Sequence, residues 1–366
     1  MNVRDTYLER ARALANSGTL TIDLNVVDPI TELVLCFGAT NGATSNLANH
    51  IERNITRLEV VDGSDILFSM SGEDAMGYYA QLGGVSLGDY RSEVPNDGVV
   101  ASIHIPFGRW VNDQEYALNP VAFKNPQLKI QWNLATINAV GATGFVTNTL
   151  TVTVIARVME NSIVPKGFLM GKDVYDFTSL ATGDTRVDLP TDYPLRTLFV
   201  KVMELGTDPR ANITRYKLSI DGDKYIPLDL FAVDLPNYLE STFHTVTMFL
   251  QGLCDDTVAT HTFVGLSIGG SVVSASGANV AGCNYFWQFD ALTYQHNFAG
   301  VAVLDNPTWI KDEGYALYGL VPFAFGRQSE PTDWLNLPSY KNALLYLTNG
   351  NAGATCAVIL QQARSY

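Results

Sequence analysis

Apolar residues recur in two rhythms along this chain. From Val3 to Ala15 they fall at helical spacing, on Val3, Tyr7, Leu8, Ala11, Leu14 and Ala15. This predicts an amphipathic helix with Arg4, Arg10 and Arg12 off its stripe, stopped by Asn16, Ser17 and Gly18. Beyond Gly18 the rhythm shortens to β-type runs between turn residues. Strands are expected within 19–27, 31–38, 55–70, 99–108, 127–134 and 148–159, and again within 197–204, 213–220, 224–230, 315–323, 342–347 and 354–362. Two segments break the pattern and predict short helices, 72–84 and 232–243. Many short strands with few helices point to an all-β sandwich architecture.

The two halves repeat each other in order. Asn54-Ile-Thr-Arg57 returns as Asn212-Ile-Thr-Arg215, and the hairpin signal Asp62-Gly63 as Asp221-Gly222. Ile105-Pro-Phe-Gly-Arg109 is echoed by Val321-Pro-Phe-Ala-Phe-Gly-Arg327, Leu118-Asn-Pro120 by Leu335-Asn-Leu-Pro338, and Lys124-Asn125 by Lys341-Asn342. Ala142-Thr143 is set against Ala354-Thr355 near the last strand. Two copies of one sandwich are therefore expected, over 18–165 and 166–366, with residues 1–17 as an arm and the seam near Pro165. The second copy carries an insertion at about 245–312. No Lys or Arg occurs from Tyr225 to Ile310, while acids do, so the insertion reads as an ordered, acid-only projection.

Charge then narrows the function. The net charge is −14 and only 16% of residues are charged, against about 25% in a typical soluble domain. Little charge on a large surface suggests that other subunits cover it. An acidic chain is a poor general binder of nucleic acid, since phosphate contact needs Lys and Arg. No run of 18 apolar residues exists, and the first residues lack the apolar stretch of a secretory signal. Cys36, Cys254, Cys283 and Cys356 fit no metal spacing and read as buried thiols. The sequons at Asn54 and Asn212 read as ordinary strand-edge residues.

Catalytic patterns are missing. There is no HExxH pair and no phosphate loop, and the five histidines are scattered. Asp255-Asp256 and Glu73-Asp74 are paired acids, weighed as glycosidase carboxylates, with a Ca²⁺ site at Asp255/Asp256 as an alternative. No cofactor or metal is assigned. Trp132, Trp287, Trp309 and Trp334 fit core or interface positions, with sugar binding as the other use.

Tandem sandwiches, a basic arm and an insertion in one copy resemble the double jelly-roll major capsid proteins of tailless icosahedral, membrane-containing bacteriophages, corticovirus-like and tectivirus-like. Lys124-Asn-Pro-Gln-Leu-Lys-Ile130 is similar to the approach to a late strand of those folds, and Leu189-Pro-Thr-Asp-Tyr-Pro-Leu-Arg-Thr197 to the opening of their second jelly roll. The resemblance implies two tandem eight-stranded jelly rolls and a homotrimer that tiles an icosahedral shell without catalysis. It implies contacts with neighbouring capsomers, penton or minor capsid proteins and an internal lipid membrane, but not with nucleic acid directly. It implies a place in the virion capsid after synthesis in host cytoplasm. The arm residues Val3, Arg4, Tyr7, Leu8, Arg10, Ala11, Arg12 and Leu14 would then touch a neighbour or the membrane on the inner face. Deleting 1–17 is expected to leave the fold intact. Asp255, Asp256, Tyr285, Trp287 and Tyr294 would stand on an outer tower as candidate receptor contacts. A carbohydrate- or receptor-binding sandwich protein is the alternative function.

Overall fold

The computed structural model describes residues 2–44, 46, 48–83, 86–87, 92, 95–253, 260–264, 266–276, 284–285, 293–297 and 307–366. For 86–87, 249–253, 260–264, 269–276, 284–285, 293–297 and 307–312 it describes the backbone alone.

The first half contains β1 (Asn2–Ala13), β2 (Ser17–Asp23), β3 (Ile30–Thr40), β4 (Arg57–Asp62), β5 (Asp65–Met70), α1 (Gly72–Gly83), β6 (Ser86–Leu87), β7 (Gly98–Pro106), β8 (Pro126–Asn133) and β9 (Thr151–Glu160). The second contains β10 (Gly167–Thr178), β11 (Asp184–Asp188), β12 (Leu195–Met203), α2 (Pro209–Asn212), β13 (Ile213–Ile220), β14 (Tyr225–Phe231) and α3 (Leu235–Thr242). There follow β15 (Val246–Leu253), β16 (Thr260–Val264), β17 (Leu266–Ser276), β18 (Asn284–Tyr285), β19 (Thr293–Asn297) and β20 (Pro307–Leu317), then β21 (Leu320–Ala324), β22 (Ala343–Asn349) and β23 (Thr355–Ser365).

The strand orders state the duplication. The first half pairs β1-β9-β3-β7 and β2-β8-β4-β5, and the second pairs β10-β23-β12-β21 and β11-β22-β13-β14. Taking strands in chain order, the second set repeats the first position by position. Each half is an eight-stranded jelly roll. Period-2 alternation closes each one: Val152, Val154, Ala156 and Val158 of β9 point inward while Thr151, Thr153, Ile155 and Arg157 do not. Two apolar cores result, one around Leu35, Phe37 and Ile130, the other around Val200, Leu218 and Leu345. Between β14 and β21 the second copy adds β15–β20, in sheets ordered β17-β20-β15-β6 and β16-β19-β18.

The predicted N-terminal helix is a strand. Residues 2–13 pair antiparallel with β9 from Asn2↔Glu160 to Ala13↔Thr151. Helix and strand share the spacing of four, because four is even: Val3 and Tyr7 lie on one face in either form. What decides is β9, whose outer edge needs a hydrogen-bonding partner. Residues 2–13 are thus built into the first jelly roll and form no separate helical arm. Bulges between Tyr7 and Arg12 absorb the misfit, with Ala11 at φ 45° donating its N–H to Thr153 Oγ1 at 3.0 Å.

Two smaller expectations change. Thr355 opens β23 as Thr151 opens β9, so Leu150-Thr151, not Ala142-Thr143, matches Ala354-Thr355. The Leu14 N–H binds the Leu150 carbonyl as the Ser179 N–H binds that of Ala354. The sequon asparagines sit buried at the ends of short helices, not at strand edges. Asn54 Nδ2 donates to Asn49 Oδ1 at 2.6 Å, and Asn212 Nδ2 to Glu204 Oε2 at 2.7 Å.

Candidate assembly surfaces

The two jelly rolls meet where β5 runs parallel to β10. Between these two strands there is one main-chain bridge, Lys172↔Ser69, while Tyr116 bridges to Gly167 and the Leu169 N–H binds the Phe107 carbonyl. Side chains add to these. Gly171 sits so close that a Cβ there would meet Met70 Cε at 2.6 Å. Arg364 of β23 grips the Asp65 carboxylate with two bonds of 2.9 and 2.5 Å, and that hydrogen bonding holds the Asp65 carboxyl below its usual range. Arg57 of β4 reaches Asp173 of β10 at 3.0 Å.

Above this seam, α1 lies on the second jelly roll. Glu73 and Asp74 favour its positive N-terminal end. Tyr78 packs on Phe199 and accepts a 2.6 Å hydrogen bond from Gln361 Nε2. Lys201 of β12 is buried with Glu73 and Asp74 each at 2.8 Å, and Arg53 holds Glu73 at 2.7 Å. Burial alone would push Glu73 up, but Lys201 and Arg53 outweigh it and keep its carboxyl low. For Lys201 burial disfavours the ammonium, and the two carboxylates reverse this and raise it.

Beside the triad lies a cleft of about 560 Å³ whose lining includes Arg57, Asp173, Asp176, Lys201 and Cys356. Burial and the neighbouring Asp176 push Asp173 up to about 6 against the pull of Arg57. Burial pushes the Cys356 thiol up to about 12, so it stays protonated and is a poor nucleophile. Among the described residues no group of three His, Cys, Asp or Glu is placed to hold a metal ion. What this cleft can do chemically is balance opposite charges at the seam. Cys36 is a second free thiol; Cys254 and Cys283 lie outside the described residues.

The residues read as an arm separate into three groups. Val3 and Tyr7 are exposed on β1, an edge strand. Arg4 is held by Glu160 at 2.5 Å, Arg12 by Glu9 at 3.1 Å, and Arg10 lies over the Tyr7 ring at 5.5 Å. Leu8 packs half-buried on the first core, and Leu14 belongs to that core, so neither is a surface contact. Of the tower residues, Asp255, Asp256 and Trp287 lie outside the described residues. Tyr285 and Tyr294 fall on β18 and β19, neighbours in the three-stranded sheet. Trp132 and Trp334 are buried, each donating its indole N–H to a backbone carbonyl.

Pattern reading missed the opposite edge. On and just beyond β14, the edge strand of the second jelly roll, Tyr225, Ile226, Phe231 and Val233 are exposed. The signal was present: Tyr225-Ile-Pro-Leu-Asp-Leu-Phe231 barely alternates, so both strand faces carry apolar groups. Trp110 was missed too. It is exposed beside Arg109, whose guanidinium lies 4.3 Å from the ring.

These paired four-stranded sheets, their repeat and the insertion can be set against known proteins. No family model matches the chain, and no curated protein matches it in sequence. Solved structures match it along its whole length. The major capsid protein P2 of bacteriophage PM2 aligns at TM-score 0.54 and 13% identity, covering 100% of this chain and 98% of that one. The STIV major capsid protein aligns at 0.58 and 11%, covering 99% and 96%. The PBCV-1 virus capsid protein aligns at 0.56 and 10%, covering 99% and 93%. The fold is a double jelly roll. In this double jelly roll the match extends over both copies and their order, so it does not rest on one sandwich resembling any other.

Proposed function

We propose that the chain is a major capsid protein, a double jelly-roll tile that associates with copies of itself and catalyses no reaction. The observation that carries this is the likeness over 98% of the PM2 capsid protein and 100% of this chain, both jelly rolls included. Two edge strands with exposed apolar groups and a surface poor in charge support it, because large obligate interfaces are built from such surfaces. The tile's parts are jelly rolls over about 18–165 and 166–366, now with β1 belonging to the first, and the 245–312 insertion as the outer tower. Its partners are two further copies in a trimer, neighbouring trimers, and penton or minor capsid proteins. Its place is the virion shell, after synthesis in host cytoplasm. With residues 2–13 in a strand, the contact with an internal membrane has no amphipathic helix to carry it.

Light scattering on purified protein tests this reading. A mass three times the 40.0 kDa of the chain is expected at micromolar concentration. A well-folded species that stays monomeric there would overturn it.

A further inference from the structure

The seam inside the chain is a template for a contact that one chain cannot make with itself. By the repeat, β5 corresponds to β14 and β10 to β1. The first pair is joined; the second pair stands at the outer edges of two separate sheets. Equivalent residues differ in exposure accordingly. Leu67 and Ile226 both lie five residues beyond the aspartate of their Asp-Gly turns; Leu67 is buried and Ile226 is 39% exposed. Leu169 and Val3 hold the same register position, opposite Ala363 and Met159; Leu169 is buried and Val3 is 44% exposed.

One ion pair at the template seam, Asp65 with Arg364, has counterparts of opposite sign. β9 and β23 align residue for residue from Thr151/Thr355, which puts Glu160 at the position of Arg364. Lys224 lies three residues beyond Asp221, as Asp65 lies three beyond Asp62. The joined seam therefore uses a negative hairpin and a positive sheet residue, Asp65 with Arg364 at 2.5 Å. The outer edges offer a cationic hairpin residue, Lys224, beside an Asp223 already held by Lys217 at 2.9 Å, and an acidic sheet residue, Glu160. Lys224 is exposed and enters no ion pair among the described residues. Glu160 already holds Arg4, with its side chain 35% exposed and lone pairs left for a second cation.

We propose that β14 of one copy docks beside β1 of a second copy, pairing Lys224 with Glu160, and that the reversed signs keep the two kinds of seam from exchanging. The partner is a second copy of this chain, and the proposal rests on the capsid-tile reading. Crossing the seams would set Lys224 against Arg364 and Asp65 against Glu160, like charge against like charge, which suppresses wrong pairing. Ile226 and Val3 supply the apolar contact that Leu67 and Leu169 supply within the chain.

Charge reversal tests it on the full chain. Glu160→Lys and Lys224→Glu should each weaken self-association roughly tenfold or more, and the double variant should recover most of it. A disulfide between Glu160→Cys of one copy and Lys224→Cys of another, in the double-cysteine chain, should give a ladder of linked chains under oxidation that neither single variant gives. If the wild type associates but the single reversals do not weaken it, or the doubly substituted cysteine chain gives no ladder, the proposed seam is wrong while the tile reading stands. A wild type that never associates overturns the reading and the seam together.

Discussion

The Asp62 carboxylate accepts the backbone N–H of Asn125 at 2.7 Å and that of Lys124 at 3.2 Å, so the β4–β5 turn is tied to the entry of β8. Asp221 does the same for Lys341 and Asn342, at 2.9 and 3.2 Å, at the entry of β22. Other matched motifs also meet in space. Arg109 binds Asp113 and Arg327 binds Asp333, while Ile30 bridges to Leu118 as Leu195 bridges to Leu335.

Replacing Asp62 or Asp221 by Ala should therefore cost about the same in each half. Bonds from amides to a carboxylate contribute about 1.5–3 kcal/mol when sheltered, and these are partly exposed, so about 1–2 kcal/mol is expected. Thermal melts of the two variants check this. Equal, measurable losses are expected, with Asn substitutions retaining part of the stability.

Lys201→Met should be far more damaging than any surface lysine change. It leaves Glu73 and Asp74 buried without the cation between them, and breaking such a pair costs about 3–5 kcal/mol. Urea unfolding should show a large drop in midpoint. A midpoint unchanged within error would mean that Arg53 alone satisfies Glu73.

Asp173 gives a pH dependence of definite sign. Its carboxyl rises from an ordinary 3.8 to about 6 in the fold, through burial and Asp176, with Asp74 adding and Arg57 opposing. Stability from the protonated form is complete below pH 4 and is lost as pH rises through 6, by at most about 3 kcal/mol. Carboxyls held low, such as Glu73 and Asp65, act oppositely, losing their contribution as pH falls. The melting temperature of wild type minus that of Asp173→Asn isolates the effect and should fall between pH 4 and pH 7. A flat difference would contradict it.

Deleting residues 1–13 should destabilise the first jelly roll, reversing the expectation for a helical arm. The deletion strips β9 of a strand paired along nearly its whole length and removes Leu8 from the first core. Hydrogen exchange on β9 amides should rise strongly, with β23 amides protected as before.

Much of the fold was legible in the sequence because its turns need particular chemistry. An Asp beside a Gly at positive φ, with two amides waiting across the turn, leaves a motif that survives duplication. The helices at Gly72–Gly83 and Leu235–Thr242 were legible because their segments break the run of short β-type stretches. The N-terminal strand was not, because Val3 and Tyr7 satisfy both periods and the deciding partner, β9, lies some 150 residues away. The outer β14 edge escaped for a related reason. Its apolar groups mimic a core strand, and only the whole sheet order reveals that β14 is an edge with no described strand beyond it.

The sparse main-chain pairing between β5 and β10, one bridge at Lys172 and Ser69, has a mechanical consequence. A continuous ladder would fix the tilt of one jelly roll against the other; a seam built mostly of interlocking side chains, with only a few backbone bonds to β10, can instead flex by small rotamer changes. In a shell tiled as proposed above, regions of unequal curvature would be paved by one polypeptide, with the bending absorbed inside each molecule instead of at the gaps around it.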